Sequence, residues 1–234
     1  MLHSGHRITA PMKYVVKFFS EIAIKSKPVR RRFVVRLHEN LKAVLTEIDP
    51  EIKIDRGWDK LQVQTAVEDE AQLARLVEAM RNTSGISYIL EVVEFPLPDF
   101  AGIIDRVLPV YAARLAGKTF AVRCKRHGDH AFSSVQVERE VGGALLAHSE
   151  AAGVKLKNPE VRVELEIAKE TLFVICERHK GIGGYPVCSV GNVLSLLSGG
   201  FDSPVASYLT MKRGMRTHFL FFNLGGRDHE IGVK

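Results

Sequence analysis

The sequence has little cysteine, few aromatic residues and no long apolar run. Its three cysteines, Cys124, Cys176 and Cys188, are too few and too scattered for a disulfide framework or a zinc site, so we predict neither. No segment approaches the roughly 18 consecutive apolar residues of a membrane-spanning helix. The N-terminal residues Met1–Arg7 lack the apolar core of a secretory signal. These absences favour a cytoplasmic protein that has no membrane partner.

The composition is that of a folded globular protein with a mild basic excess. Of the 234 residues, 46% are apolar and 26% are charged, which excludes a wholly disordered chain. Lys and Arg total 33 and Asp and Glu total 27, which gives a net charge of +6. The length allows one large domain or two modest ones. The placement of the basic residues is therefore more informative than their number.

The first part of the chain predicts alternating strands and helices in the order βαββαβ. The strands are predicted at 13–19, 52–56, 61–66 and 86–95, from their β-branched and aromatic content. The first helix is predicted to start at Ser26-Lys27-Pro28, because proline is favoured in a first turn. The second covers Glu70–Arg81. This order is typical of a ferredoxin-like fold.

A second unit with the order αβαββ follows. A helix over 103–115 is predicted to end at Gly117, and a strand over 119–125 follows it. Ser133 or Ser134 can cap a second helix that runs to about His148. The alternating segment Val161–Ala168 is predicted to pair with Thr171–Glu177.

The third stretch begins at the turn-rich segment Gly181–Pro186 and contains a candidate phosphate loop. The apolar segment Val193–Leu197 is predicted to be a fully buried strand of a parallel sheet. Ser198-Gly199-Gly200-Phe201-Asp202-Ser203 comes next, followed by a helix to about Arg213 and a strand over 216–223. Backbone N–H groups and the helix dipole make an anion site at such a position. The spacing fits neither the Walker A pattern nor G-x-G-x-x-G, and a simple Gly-Gly turn is the alternative.

The Ser198–Ser203 loop resembles the pyrophosphate-binding loop of the PP-loop ATP pyrophosphatases. Further segments resemble one family within that group, the tRNA 4-thiouridine synthetases (tRNA sulfurtransferases). These are the segments Glu21–Ser26, Arg123–Phe132, Val137–Arg139, Gly181–Pro186, Phe221–Gly226 and His229–Gly232. The resemblance runs from about Met12 to Lys234.

The resemblance implies an α+β and α/β fold in three parts. These are a ferredoxin-like N-terminal domain, a THUMP domain that binds RNA, and the start of a Rossmann-like PP-loop ATP pyrophosphatase domain. We place them at 12–71, 72–177 and 178–234, after a tail at 1–11.

The implied activity is adenylation of uridine 8 of tRNA with ATP, followed by transfer of persulfide sulfur to give 4-thiouridine. A cysteine desulfurase would donate the sulfur, and the family also supplies sulfur for the thiazole of thiamine. The resemblance assigns ATP to Leu196, Leu197, Ser198, Gly199, Gly200, Asp202 and Ser203, with Mg²⁺ as the expected cation. The family's persulfide-carrying cysteine lies beyond Lys234, so we expect no catalytic residue within this chain.

Two basic clusters are candidates for binding the acceptor stem and 3′ end of tRNA. The first contains Lys25, Lys27, Arg30, Arg31, Arg32 and Arg36, and the second contains Arg123, Lys125, Arg126 and His127. Arginines in the first turns of a helix oppose its dipole, so helix stability does not explain the first cluster. Contacts of this kind to phosphates give affinity without reading sequence.

Two other interpretations stay open at this stage. The chain could be an RNA-binding THUMP module that performs no catalysis, or it could belong to another PP-loop ligase. The second is disfavoured because two basic units precede the loop. The sequence leaves a homodimer open as well.

Overall fold

The computed structural model describes residues 13–57 and 60–227, which form two compact units. The split unit consists of Tyr14–Ile89 together with the described part of His179–Lys234, and the central unit consists of Lys13 and Leu90–Arg178. The predicted tail at 1–11 and the segment His229–Gly232 lie outside the described residues.

The split unit begins with the predicted order of strands and helices. Its elements are β1 (Lys13–Phe18), α1 (Ser20–Ala23), α2 (Lys27–Thr46), β2 (Lys53–Arg56), β3 (Lys60–Gln64), α3 (Glu70–Arg81) and the start of β4 (Ile86–Pro96). The strands lie in the order β2-β3-β1-β4. Helix α2 begins at the predicted Ser26-Lys27-Pro28 and buries Phe33, Leu37, Leu41 and Leu45 at helical spacing.

Helix α3 belongs to the split unit, which continues to Ile89. The sequence-based boundary between residues 71 and 72 would have assigned α3 to the following domain. The physical reason for the difference is that α3 packs against α2 and buries Leu76, Val77 and Met80.

The central unit contains a sheet that is covered on one face by two helices. Its elements are α4 (Phe100–Tyr111), a 3₁₀ turn (Ala112–Leu115), β5 (Thr119–His127), α5 (Ser134–His148), β6 (Gly153–Val154), β7 (Val161–Ala168) and β8 (Thr171–Lys180). The strand order is β8-β7-β5-β6. A capping box between Ser133 and Gln136 starts α5, which confirms the predicted helix start. The two-residue strand β6 was not predicted.

The core of the central unit lies between these helices and the sheet. Side chains from α4, α5, β5, β7 and β8 are fully buried there, among them Ile103, Phe120, Val137, Leu165 and Val174. The predicted pairing of β7 with β8 is confirmed, with Ala168 opposite Thr171.

The last described elements of the split unit form one βαβ arrangement. They are β9 (Asn192–Leu197), α6 (Asp202–Lys212) and β10 (Arg216–Phe221), and the two strands pair in parallel. The prediction of a fully buried strand was wrong, because Leu194 and Leu196 are 59% and 58% exposed. Parallel strands are buried when helices cover both faces. The described residues place α6 against β9 and leave Leu194 and Leu196 uncovered.

None of the helices formed by residues 13–57 and 60–227 combines the length and apolar character that crossing a bilayer requires.

Candidate nucleotide loop and nucleic-acid surfaces

The Ser198–Ser203 loop joins the carboxyl end of β9 to the N-terminus of α6. Gly199 has a φ of 78°, a left-handed conformation that glycine adopts without strain. The Ser203 hydroxyl accepts a hydrogen bond from the Ser198 backbone N–H at 3.3 Å, and it lies 3.4 Å from the carbonyl oxygen of Gly200. The Ser203 side chain therefore links the two ends of the loop. Ser198, Gly199, Gly200 and Asp202 remain exposed.

A series of hydroxyl groups connects β9 to α6 behind the loop. The buried Ser207 hydroxyl donates to the Ser203 carbonyl at 2.7 Å. Its oxygen lies 2.6 Å from the Ser195 hydroxyl oxygen. Because Ser207 has used its only proton, Ser195 is the donor in that second bond. The contact between strand and helix is thus partly polar.

The loop has the chemistry of an anion site. Exposed backbone N–H groups at the start of an 11-residue helix favour negative charge, and the serine hydroxyls add donors. The Asp202 carboxylate would repel a phosphate, but its oxygens suit a hard cation such as Mg²⁺. Of the assigned residues, hydrogen bonds bring Ser198, Gly200 and Ser203 together, while Leu196 and Leu197 end the strand.

The segment Gly181–Ser189 joins the nucleotide loop region to the rest of the split unit. The Ser84 hydroxyl donates to the Tyr185 carbonyl at 2.8 Å, and the Tyr185 N–H donates to the Lys212 carbonyl at 2.9 Å. The Tyr185 hydroxyl donates to the Glu21 carboxylate at 2.5 Å, and the Lys25 ammonium lies 5.4 Å from the Tyr185 ring centre. The segments Glu21–Ser26 and Gly181–Pro186 both carry the family resemblance, but no sequence pattern predicts that they are in contact.

The first basic cluster lies along α2 and beside a groove of about 890 Å³. Lys27, Arg30, Arg31, Arg32 and Arg36 line this groove, and Lys25 lies over Tyr185 instead. Arg56 of β2 lines the same groove, although no local pattern groups it with α2. Among the described residues, the single acidic side chain in the lining is Glu39, which pairs with Arg36 at 2.8 Å.

The second basic cluster lies on the last residues of β5, within the central unit. The Arg123 guanidinium donates to the Leu156 carbonyl at 2.7 Å and lies 3.9 Å from the Glu138 carboxylate. Arg123 is therefore held by the protein, whereas the side chains of Lys125 and His127 are exposed.

Arg126 has a partner that the sequence did not reveal. Its Nη1 donates to His130 Nδ1 at 3.1 Å, and His130 Nε2 lies 2.7 Å from the carbonyl oxygen of Lys169. This geometry is that of a neutral imidazole, which accepts at Nδ1 and donates at Nε2. The His130 ring also lies 5.4 Å from the ring of Phe132, which packs against the core.

Two of the three thiols are poorly disposed to act as nucleophiles. Burial raises the pKa of the Cys124 thiol to about 11, and the Glu138 carboxylate adds to the effect. Burial likewise raises the pKa of Cys176 to about 11, with a further contribution from Glu91. The thiolate is the reactive form, so only a small fraction of either cysteine is reactive near neutral pH. Cys188 is half-buried beside the α2 groove.

Comparisons with known proteins place three family models along the chain. The ThiI ferredoxin-like domain matches residues 13–89, the THUMP domain matches 99–177, and the Thiamine biosynthesis protein (ThiI) family matches 188–234. A tRNA sulfurtransferase of Pseudomonas aeruginosa is 53% identical over 222 residues, which are 95% of this chain and 46% of the relative. The chain thus spans about half the length of the curated relatives that it matches.

Solved structures have the same architecture. A 4-thiouridine synthetase, crystallised in complex with RNA and with bound ATP, is 25% identical. It superimposes with a TM-score of 0.74 over 92% of this chain and 54% of its own. A protein from Pyrococcus horikoshii Ot3, 22% identical over 94% of this chain and 71% of its own, gives a TM-score of 0.80 and supports the fold alone. Over the residues that it spans, the chain belongs to the tRNA sulfurtransferase family, with a ferredoxin-like domain, a THUMP domain and the start of the PP-loop domain.

Proposed function

We propose that the chain supplies the RNA-binding and ATP-binding part of an enzyme that makes 4-thiouridine at position 8 of tRNA. The observation that carries the proposal is the exposed Ser198–Ser203 loop at the start of α6, in a chain that also has a THUMP domain. The 4-thiouridine synthetase that superimposes on this chain holds both RNA and ATP.

In this proposal the loop binds the phosphates of ATP through its backbone N–H groups and the hydroxyl of Ser198, and Asp202 binds Mg²⁺. Adenylation of the uridine then makes its oxygen a leaving group. The sulfur comes as a persulfide from a cysteine desulfurase, through a cysteine other than Cys124 and Cys176. Cytoplasmic localisation and a second role in thiamine synthesis belong to the same proposal.

RNA contact by the first cluster predicts a loss of affinity on charge reversal. The double variant Arg31→Glu with Arg32→Glu should weaken tRNA binding by roughly ten-fold or more at physiological salt, because phosphate contacts dominate affinity. The slope of log K against log salt should also become shallower by roughly 0.7–0.9 for each phosphate that the variant no longer neutralises. Filter-binding titrations across a salt series measure both quantities.

The matched control reverses the charge of two exposed lysines outside the cluster, in the double variant Lys42→Glu with Lys53→Glu. The same change in net charge should then leave the affinity within about two-fold. Equal effects in the two double variants would mean that the first basic cluster has no special role in RNA binding. Wild-type affinity that does not fall with salt would reject RNA binding through phosphates altogether.

ATP contact by the loop is tested separately. Gly199→Ala adds a Cβ at a left-handed position, and we expect it to weaken ATP binding by roughly ten-fold through backbone strain. Gly143→Ala is the control, because a Cβ there meets nothing within 4 Å. Calorimetric titration with Mg²⁺ and ATP compares the two, and equal affinities would contradict the assignment of the loop.

A further inference from the structure

The groove beside α2 has two kinds of lining. Val34 and Val35 are half-buried and, with Pro28, give it an apolar surface, whereas Arg31, Arg32 and Arg56 are exposed around it. Of the described residues, six basic side chains and one acidic side chain line the groove. Its volume of about 890 Å³ lies in the range of small-molecule and cofactor sites, which combine an apolar wall with a few polar groups.

Ser189 forms a buried part of the same lining. The residue is only 5% exposed, and its hydroxyl has no hydrogen-bond partner among the described residues. Its backbone is fixed, because the N–H donates to the carbonyl groups of Pro186 and Gly214 at 3.1 and 2.9 Å. The hydroxyl oxygen has under 1 Å² of accessible surface and lies 2.6 Å from the position that a Cβ at Gly214 would take. Ser189 therefore shapes the wall of the groove and offers no donor to its occupant.

We propose that this groove is a subsite for one unpaired nucleotide of the bound RNA. The proposal rests on the proposed function, and it extends the RNA surface from α2 to Arg56, Cys188 and Ser189. The arginines would bind the phosphates that flank the nucleotide, because guanidinium groups match phosphate geometry. The sugar and base would pack against Val34, Val35 and Pro28. Sequence-selective RNA recognition commonly uses such unstacked nucleotides.

A paired stem fits the groove less well than an unpaired nucleotide. In a duplex the bases are stacked inside, so its phosphates could reach the arginines but nothing would enter the apolar part. The concave shape and the apolar lining would then have no role. An occupant that uses these two features and the arginines carries a phosphate and a flat apolar face.

Cys188 provides a direct reporter, because this half-buried residue lines the groove. We would alkylate the whole chain with iodoacetamide at pH 7.5 and follow each cysteine by mass spectrometry. Saturating tRNA should slow the alkylation of Cys188 by roughly ten-fold, because binding covers the groove. A blunt RNA duplex, bound to saturation, should slow it less than two-fold. Glutathione added to the same reaction serves as the reference for reagent consumption, because Cys124 and Cys176, with pKa values raised to about 11, react slowly.

Arg56 provides the second test, because among the described residues it is the one groove arginine outside α2. Arg56→Glu should weaken tRNA binding by roughly five-fold or more, while Lys53→Glu on the same strand should change it by less than two-fold. Thermal unfolding of both variants checks that the fold is retained.

The outcomes separate this inference from the proposed function. If the Arg31/Arg32 variant loses tRNA affinity but Cys188 stays unprotected and Arg56→Glu binds normally, RNA lies elsewhere on α2 and the groove proposal is overturned. Protection of Cys188 by the duplex to the same degree as by tRNA would also overturn it, in favour of a backbone contact. Protection by ATP alone at micromolar concentration would reassign the groove to a free nucleotide. Absence of any tRNA binding would instead reject the proposed function.

Discussion

The central unit and the β9-α6-β10 segment are held together in different ways. In the central unit, α4 and α5 cover one face of the sheet and bury a continuous apolar core. In the segment, as far as the chain is described, Ser207 is the one residue of α6 that is buried. Large apolar side chains on all three elements are exposed, among them Leu194, Leu196, Leu209, Phe219 and Leu220. Hydrogen bonds rather than apolar burial therefore define the nucleotide loop in the described residues.

The largest expected effect comes from truncating one apolar side chain in each region. Phe120→Ala in the central unit should lower the free energy of unfolding by about 3–5 kcal/mol, because it leaves a cavity in a closed core. Leu196→Ala in β9 should change it by less than about 0.5 kcal/mol, because that side chain is already exposed. Hydrogen exchange of the amides of β5 and β9 measures each region separately. Similar losses in the two variants would show that the contrast in packing is false.

The second prediction concerns the backbone contacts that anchor α6. Gly184 has a φ of 80°, and a Cβ there would collide with the carbonyl oxygen of Lys212. Gly184→Ala should therefore destabilise the segment by about 1–3 kcal/mol. We expect hydrogen exchange of the α6 amides to become faster, while exchange of the α5 amides stays unchanged.

Gly191→Ala is the matched control for Gly184→Ala in the same part of the chain. A Cβ at Gly191 meets nothing within 4 Å, so exchange in α6 should stay as in the wild type. An unaffected α6 in Gly184→Ala would mean that this contact contributes little to the segment.

The third prediction, which has the smallest expected effect, concerns the difference between the nucleotide loop and the loop after β5. The Ser198–Ser203 loop is closed by a serine hydroxyl, whereas the loop after β5 is held by His130 between Arg126 and the Lys169 carbonyl. His130→Ala removes one acceptor for Arg126 and leaves the Gly128 carbonyl at 3.2 Å. RNA affinity should fall by roughly two- to five-fold, the order expected for one hydrogen bond.

Two further variants test the His130 prediction. His130→Gln keeps an acceptor and a donor on one side chain, and it should restore part of the affinity. His148→Ala removes an exposed histidine at the end of α5 and should leave the affinity unchanged. If His130→Ala binds RNA as tightly as the wild type, Arg126 needs no positioning by His130.

Periodicity and capping predicted most of the secondary structure. The helix start at Ser26-Lys27-Pro28 and the capping serine at 133 are local signals, and both were confirmed. The exposure of Leu194 and Leu196 in β9 could not be predicted, because the apolar content of a strand does not show which elements cover it. The assignment of α3 to the split unit depends likewise on its packing against α2, which no local pattern shows.

The candidate site was predicted where its residues are contiguous. The Ser198–Ser203 loop and the arginines of α2 are runs in the sequence, and their roles in binding stay predictions. Arg56 and Ser189 were missed, and so was the contact of His130 with the Lys169 carbonyl, because each setting involves residues distant in sequence. The contact between Ser84 and the Gly181–Ser189 segment also joins residues that are distant in sequence, so it could not be predicted without the fold.

The Ser195–Ser207–Ser203 series of hydrogen bonds has a consequence for how the loop meets its ligand. An apolar contact between a helix and a strand tolerates sliding and rotation, since one methyl group substitutes for another. A directed chain in which Ser195 donates to Ser207 and Ser207 donates to Ser203 is satisfied in one register only. The start of α6 is thereby fixed in rotation before any anion arrives, so less conformational entropy is lost on binding.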